Sequence, residues 1–161
     1  MNDAVTWLEV LLNDIHPAVQ FVAVGAIAVV PFLESYVGAM VGTMAGLPVP
    51  LALGAAIVGN VLALLVAVEL GSRIAARLAT TRSEQRSERH QKIVDRVDRW
   101  GVPAASLIGP VVMAISVTAF VMAAMGLNRR QVVVWQTVSI VAWGALFAAF
   151  GAGIFAMLGG A

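Results

Sequence analysis

The apolar positions of this chain fall into one short periodic segment and four long runs. Over residues 2–15, Ala4, Trp7, Leu8, Leu11, Leu12 and Ile15 recur at helical spacing, with Asp3, Thr6, Glu9 and Asn13 on the opposite face. That pattern predicts a helix lying at a membrane interface with Trp7 as its anchor. Runs of apolar residues follow at 17–47, 50–72, 102–127 and 131–158. A spanning helix needs roughly 20 apolar residues, so the second and fourth runs predict one span each. The first is interrupted by Pro31, Glu34, Gly38, Gly42 and Gly46, and the third is preceded by Gly101 and interrupted by Pro103, Gly109, Pro110 and Gly126. Each is too short to cross twice and too broken for one straight helix. Both therefore predict re-entrant hairpins, the second turning near Ala114–Thr118.

The remaining polar segment, 78–100, reads as a connector helix. Thr81-Arg82-Ser83-Glu84 has capping-box spacing, and Glu88–Lys92 and Asp95–Arg99 are i,i+4 pairs. Charge then orients the chain. Eight of the ten Lys and Arg residues lie between Arg73 and Arg99, and the other two are Arg129 and Arg130. The positive-inside rule puts 73–99 and Arg129–Arg130 in the cytoplasm, where the connector rests on anionic headgroups. Both termini then lie outside. The first fifteen residues carry acids but no base, unlike a secretory signal. The basic run is interrupted by acids, and a nucleic-acid partner is not expected.

The expected fold is an all-α integral membrane protein, a single membrane domain over 1–161. The 2–15 helix precedes repeat 1 (17–75), the connector (78–100) and repeat 2 (101–158). The repeats are inverted, each a re-entrant hairpin followed by a transmembrane helix. A gapless shift of 80 aligns Gly46-Leu47 with Gly126-Leu127 and Gly71 with Gly151. Inverted repeats with broken helices meeting near the midplane are a transporter architecture. Composition agrees: 60% of residues are hydrophobic and 12% charged, against about 25% charged in soluble domains. The absence of cysteine excludes disulfides and thiol chemistry. No P-loop, GxSxG or HExxH motif is present. Neither an enzyme nor a cofactor or metal site is expected.

Glu34 is the leading candidate for chemistry. It lies deep in an apolar run, where an ionisable group is costly and marks function by default. It suits reversible proton binding, and Pro31 breaks the helix beside it. Tyr36, Thr43 and Asn60 are candidates to line the same substrate or proton site. Gly38, Gly42 and Gly46, four residues apart, together with Gly126, predict close helix packing. Pro31 and Pro110 mark the helix breaks.

Residues Glu34–Pro48, ESYVGAMVGTMAGLP, resemble the first signature of the small multi-drug export family, a DedA/VTT-like group of membrane proteins. Gly59-Asn60, Gly101, Pro110 and Gly126-Leu127-Asn128-Arg129-Arg130 resemble further motifs of that family. The resemblance covers about residues 17–157. It implies opposed hairpins in a bacterial inner membrane and a transport role. Tyr36 stands where the family has Arg, Met40 where it has Pro, and residues 102–127 hold no arginine. These differences weigh against an anionic lipid phosphate as substrate. The expected function is a small proton-linked secondary transporter, multi-pass in the plasma membrane, that exports or flips a small apolar or amphipathic substrate. Alternatives are an accessory subunit of a larger membrane complex and a lipid flippase or scramblase. The expected partners are the bilayer, further copies of the chain, or such a complex.

Overall fold

The computed structural model describes residues 16–79 and 100–159. The expected interfacial helix at 2–15 and nearly all of the connector lie outside the described residues. Within them all regular structure is helical. Helix α1 spans Pro17–Val29, α2 Glu34–Met44 and α3 Val49–Ala79. Helix α4 spans Val102–Ile108 and runs into a 3₁₀ turn, Gly109–Val111. Helix α5 spans Ile115–Ala124 and α6 Arg129–Met157.

Local chemistry sets these boundaries. His16 accepts a hydrogen bond from Ala18 N at its Nδ1, and Pro17 opens α1, where its missing N–H costs nothing. The helix stops before Pro31, which disfavours helical geometry in the preceding residue; Val30 is extended, with ψ 125°. In the second half Gly109 and Pro110 form the 3₁₀ turn, and Ala114 is extended with ψ 140°. The break therefore ends at Ala114, earlier than the expected turn at Ala114–Thr118. No Gly or Pro interrupts 115–118, so helix resumes there. Thr118 donates from both N (2.9 Å) and Oγ1 (3.0 Å) to Ala114 O.

Helices α2 and α5 end alike. Gly46 (φ 84°) and Gly126 (φ 81°) take the left-handed conformation after the last turn. Gly46 N donates to Thr43 O and Leu47 N to Gly42 O; Gly126 N donates to Ala123 O and Leu127 N to Met122 O. Both are Schellman stops, in which glycine bears the positive φ that a Cβ would resist. Gly46 and Gly126 thus reverse the chain, and both are exposed. Each Gly-Leu pair lies just beyond the end of its helix, and a Cβ on Gly46 would lie 3.5 Å from the Phe155 ring of α6.

Helices α3 (31 residues) and α6 (29 residues) are about 45 Å long at 1.5 Å per residue. Both are long and apolar enough to cross a membrane, and less than half of each apolar window is buried. The short helices, of 7 to 13 residues, reach roughly 20 Å or less. Their packing crosses between the halves. A Cβ on Gly71 of α3 would strike Phe120 O and Ala123 Cβ of α5, and one on Gly151 of α6 would strike Met40 O and Thr43 Oγ1 of α2. A shift of 80 residues turns one set of contacts into the other. Within the first half, Gly59 of α3 meets Gly25 O of α1.

Candidate functional site

The break between α1 and α2 carries unusual backbone. Phe32 (φ 71°) and Glu34 (φ 47°) both have positive φ without being glycine, a geometry bulky residues rarely adopt. It turns the Glu34 side chain into the interior, where the residue is 1% exposed.

The Glu34 carboxylate meets the start of α5 there. Ile115 N donates to Oε2 at 2.8 Å, and Ser116 N and Oγ both donate to Oε1 at 3.0 Å. Ala114, the residue before α5, has no side chain able to cap the helix. Glu34 supplies that cap from the start of α2, serving two amides that the helix leaves without partners. The positive end of the helix dipole favours an anion at this point. Ser35 adds a second link, donating from Oγ to Ile140 O of α6 at 3.0 Å. The start of α2 is thus tied to both α5 and α6.

The other sequence candidates divide. Tyr36 stays near Glu34; its hydroxyl donates to Phe32 O at 2.9 Å and its ring packs on Phe147. Thr43 lies nine residues from Glu34 along the chain, about 13 Å along the helix axis. Its hydroxyl reaches back to Ala39 O (3.0 Å) and Met40 O (2.9 Å), and the residue is buried. It packs against Gly151 and does not join the carboxylate. Asn60 is fully buried, and neither its amide nitrogen nor its oxygen has a hydrogen-bond partner. The Oγ atoms of Ser106 and Ser139 and Oε1 of Gln136 share that state.

The glycines and prolines also separate by position. A Cβ on Gly38 would lie 3.1 Å from Val24 O, and one on Gly42 would lie 2.9 Å from Ala52 Cβ. Pro31 is exposed in the first break and Pro110 lies in the 3₁₀ turn of the second. Among the described residues no three acidic or histidine side chains converge as a metal site would require.

Sequence reasoning did not single out Ser116. The one available signal was a helix start at Ile115 behind an alanine, an end that needs a cap from elsewhere. Glu69 pairs with Arg73 at 2.9 Å as its spacing predicts, and it also holds Arg129 at 2.6 Å, sixty residues away.

No family model matches the chain, nor does any curated protein or solved structure. The resemblance to small multi-drug export proteins therefore rests on its motif residues alone.

Proposed function

We propose that this chain is a small membrane-embedded secondary transporter, built from two inverted halves and linked to proton movement through Glu34. Each half is a re-entrant hairpin followed by a spanning helix, and the substrate is a small apolar or amphipathic molecule. Several observations support the arrangement. Outward-facing Val58, Leu62, Val66 and Leu70 leave an apolar stripe on α3 that water would penalise and lipid would not. The Glu69–Arg129 pair holds the late part of α3 level with the start of α6. Helices α4 and α5 lie between these points in sequence, and neither is long enough to cross a ~30 Å hydrocarbon core. That fits a segment entering and leaving on one side, with Arg73, Arg77, Arg129 and Arg130 on the cytoplasmic face. The 80-residue correspondence of turns and contacts fits inverted halves.

The observation that carries the reading is the three-bond capture of the Glu34 carboxylate by α5. An ionised carboxylate only accepts hydrogen bonds. Protonation turns one oxygen into a donor, which then opposes the amides that hold it. Binding a proton and joining the two hairpin tips are therefore in competition, and such competition is what coupling requires. Tyr36, two residues along, has its hydroxyl turned to Phe32 O.

Purified protein in proteoliposomes tests this. With a pH gradient imposed and an internal pH dye, an added lipid-soluble substrate should drive proton flux through wild type. Glu34→Gln should abolish that flux while leaving the protein folded. Equal flux from both would sink the coupling role. No flux from either, with the chain purifying in a larger assembly, would favour the accessory-subunit reading.

A further inference from the structure

A cavity of about 420 Å³ lies between the first hairpin tip, the second half of α3 and the start of α5. Pro31, Leu62, Val66, Leu70 and Phe120 form its apolar walls. Leu62, Val66 and Leu70 are about half exposed, so the groove opens sideways, where a bilayer would lie. Its one polar lining residue is Ser116, and Ser116 holds the Glu34 carboxylate.

We propose that this groove binds a protonated lipid-soluble amine, with its apolar body along α3 and its ammonium at Ser116 Oγ and the Glu34 carboxylate. The proposal rests on the transport reading and names its substrate class. Hydrogen-bond polarity and charge select the occupant. Ser116 Oγ donates its hydrogen to Glu34 Oε1 at 3.0 Å, so it offers only lone pairs to a ligand. The ligand's polar end must therefore donate. The charge behind Ser116 is the carboxylate of Glu34. The described basic side chains sit toward the ends of the long helices, and Arg73 and Arg129 are paired with Glu69. A carboxylate or phosphate ligand would meet Glu34 with no cation between them. A quaternary ammonium would have the right charge but no hydrogen to donate. An ammonium satisfies both requirements, and by competing for Glu34 Oε1 it loosens the same tip-to-tip bond that a proton loosens.

The native chain has no cysteine, so Val66→Cys gives a single reporter in the groove wall and Phe150→Cys a lipid-facing control on α6. In nanodiscs, dodecylamine, dodecyltrimethylammonium and dodecanoate offer one tail with three headgroups. Dodecylamine should slow N-ethylmaleimide labelling of Val66→Cys at concentrations roughly tenfold below those of the other two, the worth of one hydrogen bond from a charged donor. Labelling of Phe150→Cys should not change. Adding Ser116→Ala or Glu34→Gln should erase the amine's advantage, and Ser116→Ala keeps both backbone bonds to Glu34 should the glutamine variant not fold. Equal protection by all three probes would reduce the groove to an unselective apolar surface and overturn the assignment. Protection by dodecylamine at both cysteines, or at neither, would do the same. Selective protection without amine-driven proton flux would sink the transport reading and leave the site standing; flux without protection would do the reverse.

Discussion

Glu34→Ala is the most direct test of how α2 and α5 are joined. The substitution removes the carboxylate that accepts from Ile115 N and Ser116 N, at bonds of 2.8 and 3.0 Å. The Ser116 hydroxyl can rotate toward another acceptor, but the two amides are fixed by the start of α5. A buried donor left without a partner costs about 1–3 kcal/mol, so the pair should cost roughly 2–6 kcal/mol. That is a large share of the ~5–15 kcal/mol typical of a folded domain. Glu34→Gln keeps one accepting oxygen but turns an amino group toward the other donor, and should lose roughly half as much. Denaturant unfolding in detergent would measure the global loss. Hydrogen exchange at the amides of Ile115 and Ser116 would measure the local one, and should quicken more than tenfold, since about 1.4 kcal/mol is a factor of ten. An alanine variant within about 0.5 kcal/mol of wild type, the range of an uninvolved surface site, with unchanged exchange at those amides, would refute the cap.

Helix contacts supply a second test: Gly59→Ala and Gly71→Ala press a methyl onto backbone and should destabilise by about 1–3 kcal/mol. Gly54→Ala and Gly153→Ala meet nothing within 4 Å and should stabilise by about 0.5–1 kcal/mol in the same unfolding assay. Gly46→Ala and Gly126→Ala should each cost roughly 1–2 kcal/mol, because each forces a Cβ into a left-handed turn; unequal losses would argue against equivalent roles. Glu69→Gln should have a small effect on unfolding that fades as salt rises, because the ion pairs it loses are solvent-exposed. Single cysteines at Ser87 and Met157 should react with an impermeant thiol reagent from opposite sides of intact cells; labelling from the same side would overturn the proposed orientation.

The sequence by itself determined the helical class and where the two long helices and the two breaks fall, because these depend on local rules. Two runs free of proline after their first turn gave the long helices. Pro31 and the Gly109-Pro110 pair broke the other two, since a proline constrains the residue before it wherever the chain later packs. The depth of Glu34 in an apolar run was legible for the same reason. Tertiary structure decided what these residues touch. Glu34 caps a helix eighty residues away, which no local pattern encodes, and it does so because Ala114 leaves that helix start unserved. Gly46 continues the four-residue spacing of Gly38 and Gly42, yet it and Gly126 take left-handed turns just past the ends of their helices. Gly71 and Gly151, which the sequence offered only as a repeat match, became sites of close helix approach, as did Gly59. Thr43 looked like a lining residue until the fold pressed it against Gly151 and turned its hydroxyl onto its own helix. Periodicity tells which face of a helix is apolar; only the packed chain fixes which neighbour meets that face, and at what height.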